Sequence, residues 1–525
     1  MTIRRTAWMI PVLLPSLAGC ANDLRPASPS TGAGGASSGS GRGGADVTDA
    51  TSATGSGGAG GSGGTPALPV PGLRAEYFAG YLDPVLEQIE PTLVHDWGDG
   101  APAESVGKDR FSARWTGLLV PPESGMYTLT TETDDGVRLW IDGKLVLDDW
   151  HGHFVTANDA TVALEAGVPV PIRLDYFELD LAASARLSWS SATIAKQIIP
   201  TAQLLAAPAK SGLPGPKPPY QNPVIAFDCP DPGVIALPPA SSPSYDVVCT
   251  GGKLPIRTSR DLVAWSDTGQ KVLPAGKPPW AANGNRNWAP EIHSVDNGFV
   301  AYYTTVNGAD VLSIAAAHAS SVLGPYTDSG GPLVQSALGV IDATFFEDTD
   351  GKRWLLYKID GNSQGKPTPI YARELTKDGL SFAAGSAATK VLVNDTATWE
   401  GGVVEAPWVV LRNGMYYLFY SGNVYDYRYR TGVARAPSVL GPYTKHGAPI
   451  LANDAAWVGP GHGSVVAVGS KDYFVYHAWI NAGNGQQLAG SGRQVLVDRI
   501  DWQGGWPVIH GGTPSSTPQP WPGED

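Results

Sequence analysis

The heptapeptide SVLGPYT occurs twice, at residues 321–327 and again at residues 438–444. Each copy ends a strand-like segment with a small turn that an aromatic residue closes, and three further segments share this layout. The closing aromatics follow one another at nearly equal intervals, and they are Trp265, Tyr326, Phe382, Tyr443 and Trp502. Four short strands in each of five such repeats predict a five-bladed β-propeller. Two stacked sandwiches, the alternative, would not produce this period.

Length and composition limit the partners of the chain. Its 525 residues leave room for two or three domains, and a hydrophobic content of 42% is typical of a globular protein. The 17 Trp and 20 Tyr residues suit stacking on sugar rings. The net charge of −13, without a basic cluster, argues against nucleic acid as a partner.

The N-terminal part of the chain is typical of an export signal followed by a linker. Residues 1–19 combine Arg4 and Arg5 with a short apolar core. LAGC, ending at Cys20, resembles a bacterial lipobox, which implies lipidation of Cys20 and a protein exported and anchored to a bacterial membrane. The alternative is a secretory signal with a chance cysteine. The Gly- and Ser-rich residues 20–71 predict a flexible linker, and no other segment is apolar for long enough to cross a bilayer.

Residues 72–206 predict an N-terminal β-sandwich. Segments such as MYTLTTETD, VRLWIDG and ARLSWSS alternate apolar and polar residues between Gly, Asp and Pro. The Pro-rich residues 207–220 predict a stiff connector to the C-terminal propeller at residues 221–515. The predicted fold class is therefore all-β.

The sandwich segments GLRAEYF, VRLWIDGKLVLDDW and ARLSWS resemble the protective-antigen 14-kDa type domain. In sugar-binding members of that family two adjacent acids hold a calcium ion, and Asp134 with Asp135 occupies the matching turn. Carboxylate oxygens are what calcium prefers. The other interpretation is that DDG is simply a hairpin turn.

Three acids in the propeller stand at matching places, near the start of an innermost strand. They are Asp231 in DPGVIAL, Asp342 in VIDATFF and Glu405 in VVEAPWVV. Singly, each could be a turn former or a cap. Because innermost strands surround one axis, the three acids are expected to meet there and form a catalytic site.

The motifs NPVIAFDCPDPGVI, NWAPEI, IDATFFEDTDGKRWLLY, VVEAPWVV, GPGHGSVV and DWQGGWPV resemble, in this order, glycoside hydrolase family 43. The resemblance implies an inverting enzyme acting on arabinose- or xylose-containing plant polysaccharide, with no cofactor required. It implies that Asp231 is the general base, Glu405 the general acid, and Asp342 the residue that positions Glu405 and keeps it protonated. Inversion requires the two working carboxyls to be roughly 6.5–9.5 Å apart, with a water between base and sugar.

Other residues have two interpretations each. Trp288 could stack on a sugar or belong to the core, and Arg493 could bind substrate hydroxyls or pair with an acid. His462 matches a histidine that in relatives lies on the axis beneath the active site, often near a calcium ion, so it could bind substrate or metal, or have only a structural role. Export makes a disulfide between Cys229 and Cys249 plausible. Glu291 and Glu400 are rivals of Glu405 for the acid role.

The sequence therefore predicts a monomeric, surface-tethered glycosidase. A non-catalytic glycan-binding surface protein is the alternative from another class, and the three acids count against it. A related five-bladed glycosidase acting on galactan or fructan is the enzymatic alternative.

Overall fold

The structure, a computed structural model, describes residues 70–81, 83–238 and 244–523. The predictions for the export signal, for lipidation of Cys20 and for the linker up to residue 69 lie outside these residues. Among the described residues, no helix is long and apolar enough to cross a membrane. These residues form strands and three short 3-10 helices, Thr201–Gln203, Asn362–Gln364 and His510–Gly512, which confirms the all-β class.

The N-terminal domain is a sandwich of two antiparallel sheets. The strands are β1 (Leu73–Ala79), β2 (Asp83–Glu90), β3 (Val94–Gly98), β4 (Phe111–Leu119), β5 (Gly125–Asp134), β6 (Val137–Ile141), β7 (Lys144–Asp149), β8 (Thr156–Leu164), β9 (Val170–Glu178), β10 (Ala183–Ser190), β11 (Gln197–Ile198) and β12 (Leu204–Ala206). Their order is β2-β1-β4-β9-β6-β7 in one sheet, with β12 also on β4, and β11-β10-β5-β8 in the other, with β3 also on β10. Large aromatic side chains such as Trp115 and Trp189 are fully buried between the sheets.

The connector, residues 207–220, lies along the sandwich. Arg114 donates from Nη1 to the carbonyl oxygen of Pro214 at 2.9 Å, and Trp150 donates from Nε1 to that of Lys217 at 2.8 Å. At its far end the backbone of Tyr220 pairs with that of Gln519, at the end of the propeller chain. The connector is therefore bonded to both domains.

The C-terminal domain has five four-stranded antiparallel blades, as predicted. The innermost strand of each blade contacts that of the next, and the fifth contacts the first, so the ring is closed. The blades are β13 (Gly233–Leu237), β14 (Ser244–Val248), β15 (Pro255–Ser259) and β16 (Trp265–Lys271); β17 (Trp288–Val295), β18 (Gly298–Val306), β19 (Leu312–Ala319) and β20 (Thr327–Val334); β21 (Val340–Glu347), β22 (Arg353–Ile359), β23 (Ile370–Leu375) and β24 (Thr389–Leu392); β25 (Val404–Arg412), β26 (Met415–Gly422), β27 (Arg430–Ala436) and β28 (Thr444–Lys445); and β29 (Trp457–Val468), β30 (Lys471–Ile480), β31 (Gln494–Gln503) and β32 (Trp506–Ile509).

Candidate active site

One non-glycine residue near the start of each innermost strand has a left-handed backbone. These residues have φ between 42° and 56°, and they are Asp231, Ala289, Asp342, Ala406 and His462. In the second to fifth blades the pairing with the neighbouring strand shifts register at this point, as in a β-bulge. Such conformations cost about 1–3 kcal/mol each and often mark functional sites, and a bulge redirects side chains. Three of the five are site residues predicted from the sequence.

The amide of each left-handed residue is anchored to the preceding blade. In four of the five cases it donates to a side chain that lies on, or just after, the second strand of that blade. In the fourth blade the acceptor is instead the carboxylate of Asp342. The donor–acceptor pairs are Asp231 N to His477 Nδ1, Ala289 N to Thr250 Oγ1, Asp342 N to Thr304 Oγ1, Ala406 N to Asp342 Oδ2 and His462 N to Ser421 Oγ.

A cavity of about 330 Å³ opens at this end of the propeller. All the catalytic and substrate-binding residues predicted from the sequence line it, together with five others. The predicted ones are Asp231, Asp342, Glu405, Trp288, His462 and Arg493, and the others are Ile341, Lys358, Asp360, Asn362 and Tyr425. All three acids are buried. The structure thus brings together acids from the first, third and fourth blades.

Asp231 is surrounded by cationic and hydroxyl donors. Its Oδ1 accepts from Arg493 Nη1 at 2.9 Å and lies 3.3 Å from His462 Nδ1, and its Oδ2 accepts from the Thr250 hydroxyl at 2.6 Å. Burial alone would raise the pKa of Asp231, but the charges of Arg493 and His462 and the Thr250 hydrogen bond hold it well below its usual range. Asp231 is therefore ionised at neutral pH.

His477 was not singled out from the sequence, yet it fixes the backbone of Asp231. Its Nδ1 accepts the Asp231 amide proton at 3.1 Å, which requires an unprotonated Nδ1. Burial and the charge of Arg493 lower the pKa of His477 well below its usual range, consistent with a neutral ring. The ring also stacks on Tyr429, with centroids 5.8 Å apart. His477 is thus a positioning residue.

Glu405 is held by two donors from different blades. Its Oε2 accepts from Lys358 Nζ and its Oε1 from the Tyr429 hydroxyl, both at 2.8 Å. Burial alone would lower the pKa of Lys358, but the negative charges of Glu405, Asp360 and Asp342 raise it, so the amine is protonated. The sequence reasoning missed Lys358 and Tyr429.

Asp342 lies between these groups. Burial raises the pKa of Asp342, and the negative charges of Glu405 and Asp231 raise it further, against the charges of His462 and Lys358. Asp342 can therefore retain a proton to higher pH than an ordinary carboxyl, close to the ionised Asp231.

The rival acids are engaged elsewhere. Glu400 accepts from the Tyr420 hydroxyl and from Lys445 Nζ, both at 2.6 Å, and Glu291 pairs with His293 at 2.7 Å. Neither residue lines the cavity. Their contacts fit structural roles.

The aromatic side chains at the cavity differ in exposure. Trp288 is half-buried, whereas Tyr425 is 57% exposed and lies 5.3 Å, ring centroid to guanidinium, from Arg493. Both can offer a ring face to a sugar.

Cys229 and Cys249 are joined by a disulfide with a Cα–Cα distance of 5.3 Å. Pro230 and Asp231 follow the first cysteine, and Thr250 follows the second. Thr250 donates from its amide to the Pro230 carbonyl at 2.9 Å and from its hydroxyl to Asp231. The disulfide thus braces the segment that carries Asp231.

The sandwich holds a second acid cluster. Ligand atoms of Asp134, Asp135 and Glu178 all lie within 4.8 Å of one another. Glu178 is fully buried, and its Oε1 has no hydrogen-bond partner among the described residues. Burial, with the charges of Asp135 and Asp134, raises the pKa of Glu178 to about 9. Three converging hard oxygens, one of them buried without a donor, fit a calcium ion. Glu178 was not predicted.

His462 does not have comparable surroundings. The sandwich cluster is the one grouping of three potential metal ligands found in residues 70–81, 83–238 and 244–523. The carboxylate oxygen next to His462 is already bonded to the guanidinium of Arg493. These contacts fit a role in holding Asp231 better than a metal site.

The C-terminal domain is thus a five-bladed propeller in which three carboxyl side chains line one cavity. Residues 220–507 match the family model of glycosyl hydrolases family 43, and residues 69–203 match that of the PA14 domain. The chain therefore belongs to glycosyl hydrolases family 43 and carries a PA14 domain, as its motifs predicted. The prediction of a glycosidase is confirmed at this level.

The curated relatives carry different names. The chain is 44% identical over 135 residues to anti-sigma-I factor RsgI3 of Acetivibrio thermocellus, a match of 25% of this chain and 21% of that protein. A β-D-galactofuranosidase, xynD, of Aspergillus niger is 30% identical over 46% of this chain and 69% of its own length. The extracellular exo-α-(1→5)-L-arabinofuranosidase ArbA of Cellvibrio japonicus is 24% identical over 50% of this chain and 81% of its own.

Among solved structures, a thermostable family-43 glycoside hydrolase is similar to this chain with a TM-score of 0.51 and 30% identity. The similarity covers 58% of this chain and 99% of that structure.

Proposed function

We propose that the propeller hydrolyses glycosidic bonds of arabinose- or xylose-containing polysaccharide with inversion of configuration. The observation that carries this proposal is the contrast between acids in one cavity. Asp231 is ionised and paired with Arg493, whereas Glu405 lies in the same cavity next to Asp342, whose Oδ2 accepts the amide of Ala406. An inverting glycosidase needs one carboxylate and one carboxylic acid.

In this mechanism Asp231 is the general base. Its carboxylate orients a water against the anomeric carbon and accepts the proton of that water as the new bond forms. Arg493 and Thr250 fix the carboxylate, and His477 fixes its backbone, so the base keeps one orientation.

Glu405 is the general acid on the other side of the scissile bond. The charge of ionised Asp342 favours the protonated form of Glu405, and Asp342 Oδ2 accepts the adjacent Ala406 amide at 2.9 Å. When the proton passes to the leaving oxygen, Lys358 and Tyr429 stabilise the carboxylate that remains.

The substrate class is proposed from the relatives and from the exposed rings of the cavity. The ArbA relative is named for an L-arabinofuranoside and the xynD relative for a D-galactofuranoside, both five-membered sugar rings. A galactofuranoside is therefore the second candidate.

For the sandwich we propose a structural calcium ion held by Asp134, Asp135 and Glu178, and binding of glycan at this domain. The ion would neutralise the buried carboxylates. We further propose that the protein is a monomer, exported, and anchored to the membrane through lipidated Cys20.

The test is a panel of aryl glycosides and polymers. The purified protein is assayed on aryl α-L-arabinofuranoside, β-D-xyloside and β-D-galactofuranoside, and on arabinan, arabinoxylan and galactan. Proton NMR of the first-formed sugar should show the anomer opposite to that of the substrate. Retained configuration, or full activity of Asp231→Asn, would contradict the proposal.

A further inference from the structure

A second concave surface lies next to the catalytic cavity, on the third blade. It is a groove with a volume of about 630 Å³ whose lining includes Leu338, Ile359, Pro367, Tyr357 and Tyr371. We call it the blade-three groove. It is larger than the catalytic cavity and is not part of it.

The same two chain segments line both hollows. The segment that contributes Leu338 to the groove contributes Ile341 to the catalytic cavity, and the segment that contributes Ile359 contributes Asp360. The amide of Asp360 donates to the carbonyl of Gly339 at 3.0 Å, which ties the segments together. The two hollows are therefore neighbours that share two chain segments.

The groove contains a pair of tyrosines. The rings of Tyr357 and Tyr371 are stacked, with centroids 6.2 Å apart and an interplanar angle of 20°. Among the described residues, neither hydroxyl has a hydrogen-bond partner. Two parallel rings with free hydroxyls are suited to a pyranose or furanose ring, which has apolar faces and a polar rim.

The other blades show that the state of Tyr357 is unusual. Each of three other blades has a tyrosine at the equivalent place, immediately before the polar residue that anchors or faces the next blade. The hydroxyls of these tyrosines all donate to buried or half-buried carboxylates: Tyr303 to Asp328 at 2.8 Å, Tyr420 to Glu400 at 2.6 Å and Tyr476 to Asp498 at 2.6 Å. Tyr357 is only 5% exposed and lines the groove, and no described residue accepts from its hydroxyl. The Tyr357 hydroxyl is therefore left to bond with solvent or a ligand, unlike its three counterparts.

We propose that the blade-three groove binds sugar residues of the polysaccharide beyond the bond that is cleaved, with Tyr371 as the stacking face and the Tyr357 and Tyr371 hydroxyls as hydrogen-bonding groups. This inference rests on the proposed function, because the occupant is the polymeric substrate. The exposed rim of the groove includes Gln335 and Lys366, whose polar groups are suited to sugar hydroxyls. The groove makes the enzyme selective for polymer over single-residue glycosides.

The experiment compares Tyr357→Phe, Tyr371→Phe and Tyr371→Ala with wild type. The measured quantity is the ratio of kcat/KM on arabinan or arabinoxylan to kcat/KM on the aryl glycoside of the same sugar. We expect this ratio to fall about two- to tenfold in each Phe variant, because one hydrogen bond is lost, and at least about tenfold in Tyr371→Ala. Tyr245→Phe is the matched control, since Tyr245 is buried in the first blade, outside both hollows.

Binding is measured separately, by gel retardation in arabinan and in arabinoxylan with every variant also carrying Asp231→Asn. Weaker retardation of the three groove variants, with Tyr245→Phe retarded like the parent, supports the groove. Unchanged ratio and retardation in Tyr371→Ala, or an equal loss in Tyr245→Phe, overturns it. If the wild type hydrolyses no substrate of the panel but its retardation depends on Tyr371, the proposed function fails and the groove remains as a glycan site.

Discussion

Each domain gathers three of its buried acids into one cluster, but the two clusters are neutralised differently. In the propeller the cations belong to the chain itself, because Arg493 bonds Asp231 and Lys358 bonds Glu405 at 2.9 and 2.8 Å. In the sandwich Glu178 Oε1 has no partner within the described ranges, and backbone amides of His153 and Leu179 are the donors to Asp135. Acids with fixed internal partners keep distinct protonation states and can do chemistry. Acids without them need a proton or an external cation.

The largest expected effect concerns the base of the propeller. Asp231→Asn keeps the size of the side chain and removes its negative charge, so the water is no longer activated. We expect kcat to fall by roughly 10²–10⁴-fold on every substrate, including aryl glycosides with very acidic leaving groups. Steady-state kinetics measures this loss, and a variant within a few-fold of wild type would contradict the role of Asp231.

Glu405→Gln should show a loss that depends on the leaving group. We expect a fall of roughly 10²–10⁴-fold on polysaccharide, because the leaving oxygen is no longer protonated. An aryl leaving group of low pKa departs without that proton, so much of the rate should return on such a substrate. The ratio of the loss on polysaccharide to the loss on the aryl glycoside distinguishes the general acid from the general base. An equal loss on both substrates would contradict the assignment of Glu405.

Removing the negative charge of Asp342 or the positive charge of Lys358 should shift the pH–rate profile in opposite directions. Asp342→Asn removes a negative neighbour, so the acid loses its proton at lower pH and the basic limb moves down by about one pH unit. Lys358→Gln keeps a hydrogen-bond donor but removes the ammonium, so the basic limb moves up by about as much. The measurement is kcat/KM against pH, with circular dichroism as the control for folding. Shifts of the same sign would show that these two charges do not control the pKa of the general acid.

These residues also show what sequence can predict. The regular spacing of the closing aromatics predicted the blades, and family motifs led to Asp231, Asp342 and Glu405, which meet in one cavity. Lys358 and His477 were missed because each lies inside an apolar strand, RWLLYKI or YFVYHAWI, where a single polar residue resembles an ordinary interruption. Their function depends on strand register, since they face the innermost strand at Ile341 and Gly461.

A signal for them exists in the repeats. Aligning the second strands places a tyrosine before one polar residue in four blades, as in Tyr303-Thr304, Tyr357-Lys358, Tyr420-Ser421 and Tyr476-His477. Lys358 is the one member of this set that cannot accept a hydrogen bond, and in its blade Asp342 accepts the amide of Ala406 instead. Glu178 had no comparable signal. It is far from Asp134 and Asp135 in sequence and lies next to their turn only because β9 packs there in the fold. The left-handed backbone of the five innermost strands also has no marker in the sequence.

The smallest expected effect tests the sandwich. Without calcium, Glu178 has a folded-state pKa of about 9 against 4.5 for the ordinary side chain, so it stays protonated in the folded domain while it ionises in the unfolded one. A raised pKa of this kind gives stability that is complete below pH 4.5 and is lost as the pH rises toward 9. Calcium should oppose this loss of stability at high pH. It binds the ionised form of the cluster, so the stabilisation that calcium gives grows as the pH rises.

We therefore expect the unfolding free energy of the sandwich to fall between pH 5 and pH 8 in chelator, by at most about 4 kcal/mol, with a matching fall in Tm, and both to recover in millimolar calcium. Glu178→Gln should remove both the pH dependence and most of the response to calcium, whereas Glu165→Gln, on the exposed turn after β8, should change neither. Differential scanning calorimetry with and without calcium measures both quantities. If calcium leaves the Tm of the sandwich unchanged at pH 8, its acids are neutralised by protons alone. The two domains would then differ in another way, because the propeller pairs its acids with cations and the sandwich buries them as neutral groups.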